Sequence, residues 1–477
     1  MTSGEYEEQG YERPPNHVIV LFGATGDLAR RKIIPGAFHL WSVGLMPERF
    51  AIIGASRTSL SDEEMRSTAL LALEEFGGRR LRKRDRVRFL QHVLGSSTDK
   101  LVDAVARAEK EIGGRPRRLY HLAIPPAAFP SVIEMLGATG LDARARVIIE
   151  KPFGTDLHSA RELNRVVHAA FDESQVFRID HFLGKESVDN ILAFRFANGL
   201  FEPIWNRDHI DYVQIDVPET LSIEGRAGFY ESTGAFRDMV VTHLFQVLGF
   251  VAMEPPTSLE PRALRSEKNK VFEAMKRIDP RQVVRGQYRG YRSEPGVRRR
   301  SGTETYVALK VEIDNWRWAG VPFYLRTGKS MAESRQVVVL AFREPPLRMF
   351  RLARGISGWA RPNELLFEFR DPGSITTRFL AKQPGPALDL AEAAMTFRYA
   401  DSFGTNHLEA YERLLRDAML GDQTLFTDAA GIERLWEVST PLLERPPRLH
   451  LYDPGSWGPK AADALIAPHR WCLPDGT

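Results

Sequence analysis

Cysteine is almost absent: Cys472 is the only one in 477 residues. A single thiol excludes an intramolecular disulfide and any multi-cysteine metal site, and it fits a reducing compartment. An excess of one charge is also missing. Sixty-five Lys and Arg stand against 62 Asp and Glu, and a net charge of +3 gives no general attraction to nucleic acid or to an anionic membrane. Any anion site must therefore be local. No apolar run approaches the roughly 18 residues that span a bilayer. The opening MTSGEYEEQGYERPP has neither the basic start nor the apolar stretch of a signal peptide. Residues 1–15 are expected to form a disordered tail, and the protein is expected in the cytoplasm. No internal repeat of about 20 to 50 residues is present, which argues against a solenoid.

What is present divides into two halves. The first alternates strand-like runs with helical patterns: HVIVLFG, DLARRKIIPGAFHLW, FAIIGA, a charged helical region, RLYHLAIPP and RVIIEKPFG. Strands separated by crossover helices predict a doubly wound parallel sheet of Rossmann type over residues 16–180. The second half, 181–477, carries YVQIDV, TYVALKVEI, VPFYLRT, RQVVVLAF, LLFEF and SITTRFLAK without regular crossovers. It predicts an α+β domain with a large, mainly antiparallel sheet and long helices near 233–253 and 406–420. The basic run RRLRKRDRVR, 79–88, lacks interleaved aromatics for base stacking and reads as a solvated face.

VIVLFGATGDLARRK ends an apolar strand at Gly23, places Gly26 three residues on, and puts a small Ala29 where helix and strand approach. Backbone amides at such a turn, around Gly23, Gly26, Asp27 and Leu28, can meet a pyrophosphate without a side chain in the way. A tight β-α turn is the plain alternative. The next strand ends in Ser56, Arg57 and Thr58, where an acidic residue would favour the free ribose of NAD. A guanidinium there suits a 2′-phosphate, and NADP is the expected cofactor.

Hydride transfer from an alcohol needs a base for the hydroxyl proton, and histidine suits neutral pH. In TGAFRDMVVTHLFQVLGFVAM, His243 lies on an apolar stripe, where a satisfied core histidine is the plain alternative. Asp238 precedes it by five residues, about 140° around an α-helix, so the two are expected to flank a site. Lys151 in IIEKPFG follows a strand at the ligand-binding edge of the parallel sheet. FRIDHFLGKES, 177–187, concentrates polar groups around a Phe-Leu-Gly turn. His181 and Lys185, four apart, can share a helix face and would suit a phosphate monoester. Lys329 in LRTGKS offers a further cation. Each of these could instead be a surface charge.

Taken together, GATGDLARRK, EKPFG, RIDHFLGKE, GAFRDMVVTHLFQ, SEKNKV, VPFYLRTGK, AYERLL with DAMLGDQTLF, and YDPGSWGP occur in one order from residue 23 to about 458. In this order the chain resembles the glucose-6-phosphate dehydrogenases. The resemblance implies NADP-dependent oxidation of the C1 hydroxyl of a hexose 6-phosphate to the lactone. It implies that His243 is the general base and that Asp180 orients it. His181 and Lys185 would hold the phosphate, Lys151 would bridge substrate and cofactor, Lys329 would bind substrate, and Glu219 and Asp238 would bind sugar hydroxyls. It also implies a homodimer or homotetramer formed through the antiparallel sheet. Three positions depart from the family: Phe182 and Phe129 stand where tyrosines are common, and Arg370 stands about where a sugar-binding glutamine is common. Two rivals remain on sequence grounds, another NADP-dependent sugar oxidoreductase and a catalytically silent NADP-binding subunit.

Overall fold

The computed structural model describes residues 11–78, 82–180, 182–347, 349–352, 363–369, 373–403 and 408–474. Among them β1 (His17–Phe22), β2 (Phe50–Ser56), β3 (Val93–Ser97), β4 (Arg117–Leu122), β5 (Ala145–Ile149) and β6 (Val176–Arg178) form a six-stranded parallel sheet. Its order is β3-β2-β1-β4-β5-β6. Helices cover both faces, which is why β1 and β2 are apolar along nearly their whole length: all six residues of β1 are buried. The order reverses between β1 and β4, and a crevice at such a reversal is where open α/β sheets bind ligands.

A second, ten-stranded sheet is built from β7 (Ile210–Pro218), β8 (Val283–Tyr288), β9 (Tyr306–Glu312), β10 (Pro322–Gly328), β11 (Val337–Phe342), β12 (Arg351–Leu352), β13 (Glu364–Glu368), β14 (Ser374–Lys382), β15 (Asp389–Arg398) and β16 (Leu449–Tyr452). Its order is β12-β15-β14-β13-β11-β7-β10-β9-β8-β16. Most pairs are antiparallel, but β7 with β10, β8 with β16 and β12 with β15 run parallel. The central pair has a functional consequence. Pro218 pairs with Gly328, so the next residues, Glu219 and Lys329, leave the sheet side by side.

Between the sheets runs a helical segment from Ala227 to Ala252. By length and composition it could cross a membrane, contrary to the expectation of no such run, yet 89 % of its most apolar window is buried inside the protein. It is interrupted at Gly234, whose φ of +66° and contact with Glu304, 2.5 Å from where a Cβ would lie, demand glycine. Beyond the break, Phe236–Leu244 winds with a wider turn: the Phe245 amide donates to Val240 O, five residues back.

The expectation for the start of the chain changes in part. Residues 1–10 lie outside the described residues, but 11–15 are held by Arg416, whose Nη2 donates to Glu12 O at 2.8 Å beneath the Tyr11 ring. Late in the second half, the helix Ala410–Leu420 and the loop after it pack back onto the first sheet, and the helix Ala429–Glu444 packs on the helix Leu157–His168. Arg146 Nη1 of β5 donates to Ala418 O at 3.0 Å, Gln423 Nε2 donates to Val176 O at 2.9 Å, and Phe177 and Phe426 meet edge to face. Of the basic run, residues 79–81 lie outside the described residues. The rest forms the helix Lys83–Leu90, where Phe89 is buried and Arg82, Lys83, Arg84 and Arg88 are exposed.

Candidate active site

Parallel strands leave one sheet edge together, so the residues that follow β1, β2, β5 and β6 share a rim. At β1, Gly23 takes φ +77°, and a Cβ there would lie 2.2 Å from Ala123 O. Any side chain is excluded by both strain and collision. The Gly26 amide closes the turn onto Gly23 O at 2.9 Å. Ala29 is fully buried, as a close helix-strand approach requires. Asp27 pairs with Arg31 at 2.7 Å, which leaves the turn's backbone as the group that can face a ligand near Leu28. On the neighbouring strand Ser56 Oγ lies 3.2 Å from Thr58 Oγ1, and Arg57 is exposed with no ion pair among the described residues. A bare glycine turn at this rim fits the pyrophosphate of a dinucleotide.

Across the rim, four side chains join in one hydrogen-bonded chain. Lys151, two residues past β5, donates from Nζ to Asp238 Oδ1 at 2.9 Å and to His243 Nε2 at 2.6 Å. His243 Nδ1 meets Asp180 Oδ1 at 2.6 Å, and the Phe182 amide donates to the same oxygen at 2.9 Å. An ammonium only donates, so Nε2 carries the lone pair and the ring proton sits on Nδ1, facing Asp180. This is the tautomer a base acting through Nε2 needs. His243 is 0 % and Asp180 1 % exposed.

The helix explains how Asp238 and His243 reach the same lysine. In an α-helix they would diverge by about 140°, the expectation drawn from their spacing. The wider turn, with bonding from i to i+5, brings residues five apart nearly one above the other. Burial, followed by the charge of Lys151, holds the His243 ring well below its ordinary pKa. It is therefore neutral at rest. Burial pushes the Asp238 carboxyl up, but the charge and hydrogen bond of Lys151, with Lys329 beyond it, outweigh burial and keep the group below its usual value.

Glu219 and Lys329, delivered by the parallel pair β7 and β10, form an ion pair at 2.6 Å. Lys185 donates to Gln336 and, at 3.4 Å, to Phe369 O, and its Nζ stands 5.0 Å from the centre of the Phe182 ring. It occupies the N-cap of helix Glu186–Phe196 with extended backbone, so the helix face expected to carry 181 and 185 is not what positions it. His181 and Arg370 lie outside the described residues.

Sequence reasoning overlooked Phe182 as a structural element. Its ring stacks on His243 with centroids 4.4 Å apart and planes at 20°. It also overlooked Gln336 as the partner of Lys185, a contact between distant segments that no local pattern announces.

Residues 20–190 match the NAD binding domain, and residues 192–472 the C-terminal domain, of glucose-6-phosphate dehydrogenase. The chain belongs to the glucose-6-phosphate dehydrogenase family. It is accordingly an oxidoreductase. The glucose-6-phosphate 1-dehydrogenase of Aggregatibacter actinomycetemcomitans is 40 % identical, over 97 % of this chain and 98 % of that protein. The solved structure of the Mycobacterium avium glucose-6-phosphate 1-dehydrogenase has a TM-score of 0.85 at 37 % identity, covering 96 % of this chain and 99 % of that one. A glucose-6-phosphate dehydrogenase solved in complex with its substrate glucose-6-phosphate has a TM-score of 0.87 at 33 % identity, covering 97 % and 99 %. Family membership removes the unrelated sugar oxidoreductase as a rival.

Proposed function

We propose that His243 is the general base of this dehydrogenase, that Asp180 orients it, and that the cofactor is NADP. The reaction is oxidation of D-glucose 6-phosphate at C1 to 6-phosphoglucono-1,5-lactone, the first step of the oxidative pentose phosphate pathway and of this branch of glucose metabolism. The observation that carries the role assignment is the unbroken series Asp180, His243, Lys151 and Asp238 at the rim of the parallel sheet, its first two members buried and its last two half-buried.

When bound, the nicotinamide supplies the acceptor for the C1 hydride. Everything else falls to the chain. His243 Nε2 takes the O1 proton as C1 becomes a carbonyl carbon, and Asp180 stabilises the imidazolium that results. Lys151 now occupies the position beside Nε2, which marks where O1 belongs, and its ammonium is placed to meet both sugar and cofactor. Asp238 and Glu219 accept from sugar hydroxyls, with Lys329 beside Glu219. Lys185, together with His181, binds the phosphate. The dinucleotide is held by the turn at Gly23, Gly26, Asp27 and Leu28, by Ser56 and Arg57, and by Lys151.

Arg57 supports NADP over NAD because its guanidinium is exposed and has no ion pair among the described residues. A charge-assisted hydrogen bond contributes about 1.5 to 3 kcal/mol, so Arg57→Ala is expected to lower the NADP/NAD ratio of kcat/KM roughly tenfold to a hundredfold. An unchanged ratio rejects the assignment. Lys185→Ala should raise KM for glucose 6-phosphate by a similar roughly tenfold to hundredfold factor while kcat stays near that of the parent. A fall in kcat at constant KM would place Lys185 outside the phosphate site. The reaction itself is tested by NADPH absorbance with glucose, glucose 6-phosphate and galactose 6-phosphate. Preference for the unphosphorylated sugar would remove the phosphate role from Lys185 and His181.

The same reading includes a division into 16–180, which binds nucleotide, and 181–477, which binds substrate and dimerises. A homodimer or homotetramer is supported by Leu388 and Met395 in the hairpin of β14 and β15 and by Phe403 beyond it, each more than 60 % exposed. A cytoplasmic location is supported by the single, buried thiol.

A further inference from the structure

The motif YDPGSWGP takes no part in the reaction as described, yet it is built against Lys329. Its tyrosine, Tyr452, ends β16 and is buried. The Tyr452 hydroxyl donates to Lys329 O at 2.6 Å and lies 3.0 Å from Thr305 Oγ1. Donors and acceptors run in one direction. Thr305 Oγ1 accepts from the Tyr288 amide at 3.0 Å, its own proton goes to Tyr452 Oη, and the phenol proton goes to Lys329 O. Burial, only partly opposed by the hydrogen bond with Thr305, holds the phenol pKa above its ordinary value, so the proton stays on it throughout the working range.

The turn that carries Lys329 is tied from both sides. The Lys329 amide donates to Thr305 O at 2.8 Å, so both of its backbone groups are held. Towards β7, the Glu219 amide donates to Gly328 O at 2.9 Å, and the Ser330 and Met331 amides donate to Leu221 O and Glu219 O, each at 2.8 Å. Towards the motif, the Gly455 amide donates to Ser330 O at 2.8 Å and the Ala332 amide to Ser456 O at 3.0 Å. Ser330 needs such restraint, because its φ of +51° lies in the left-handed region that a side chain disfavours. Packing adds to the hold. A Cβ on Gly328 would fall 2.7 Å, and one on Gly458 of the motif 2.4 Å, from the Tyr306 ring. The result is a fixed exit from β10, from which the Lys329 ammonium reaches Glu219 at 2.6 Å.

We propose that Tyr452 is a positioning residue for the sugar phosphate site, its hydroxyl fixing the backbone of Lys329 and so the place where the Lys329 ammonium meets the substrate. This rests on the substrate-binding role of Lys329 given above. Tyr452 touches neither sugar nor cofactor and acts through Lys329.

The test is the steady-state kinetics of glucose 6-phosphate oxidation by the full-length enzyme. Tyr452→Phe keeps the ring and removes one hydroxyl. KM for glucose 6-phosphate is expected to rise about tenfold, the worth of one hydrogen bond to a buried partner, while kcat and KM for NADP stay within about twofold of the parent. Thr305→Val, which takes away the donor behind Tyr452, moves KM the same way and serves if Tyr452→Phe does not fold. Thr305→Ser retains the hydroxyl and the parent KM. A tyrosine that only stabilises the fold would lower Tm and the active fraction without moving KM. The Lys329→Met background supplies the decisive arm: because Tyr452 acts through Lys329, adding Tyr452→Phe there raises KM no further. A parent KM in both Tyr452→Phe and Thr305→Val, or an equal rise from Tyr452→Phe with and without Lys329, overturns the proposal. Lys329→Met at the parent KM would reject the substrate role of Lys329 itself, and the role of Tyr452 falls with it.

Discussion

Replacing His243 by asparagine is expected to lower kcat by about 10²- to 10⁴-fold, the range typical of removing a general base, with little change in KM. Asparagine is close in size and can still bond to Asp180, so the Phe182 stack and the Lys151 contact lose geometry less than chemistry. Steady-state kinetics of NADPH formation decide it, and an unchanged kcat would remove the imidazole from the proton-transfer step. The same variant has a thermodynamic signature. The folded ring resists protonation while an unfolded one titrates near 6.5. The neutral buried histidine therefore contributes stability that is present above about pH 6.5 and is lost as the pH falls below it. A Tm measured between pH 7.5 and 5.5 should drop less in His243→Asn than in the parent.

Asp180→Asn should cost roughly a hundredfold in kcat, because the imidazolium that forms as the O1 proton moves would be left in a buried site without its carboxylate, a loss of about 3 kcal/mol. The amide can still fill the space and accept from the Phe182 amide, which holds the local turn. What it lacks is the charge that stabilises an imidazolium. Removal of an anion makes the histidine harder to protonate, so the acid limb of kcat/KM shifts to lower pH. A limb that moves upward, or a kcat within threefold of the parent, would contradict the orienting role.

Much of this architecture is written in short-range patterns. The apolar runs of β1 and β2 read as buried parallel strands because helices cover both faces, and Gly23 reads as a tight turn after β1 because its place in the fold admits no side chain. The residues of the hydrogen-bonded chain were legible as well, each from its own motif. What was not legible is geometry that depends on distant partners. Nothing local in FRDMVVTHL reports a widened helical turn, so the spacing of Asp238 and His243 misleads when it is read at 100° per residue. Phe182 registers in sequence only as a missing hydroxyl, whereas in space it is the surface on which the imidazole lies. The proximity of Glu219 to Lys329 follows from two parallel strands about a hundred residues apart inside a mostly antiparallel sheet, a register no single segment encodes. The return of helices Ala410–Leu420 and Ala429–Glu444 to the first half of the chain is equally invisible, because their apolar faces do not name the surface they cover.

That return crossing makes the nucleotide-binding half a poor candidate for excision. Cut at residue 180, it would present β5 and β6 with the Phe177 face stripped of Phe426 and with the Arg146 guanidinium facing no carbonyls. It would also lose the Trp436 indole that anchors the EKPFG loop through Phe153 O. Lys151 thus owes its placement to a tryptophan 285 positions later in the chain, and the ability to bind dinucleotide productively is a property of the whole polypeptide rather than of a transplantable module.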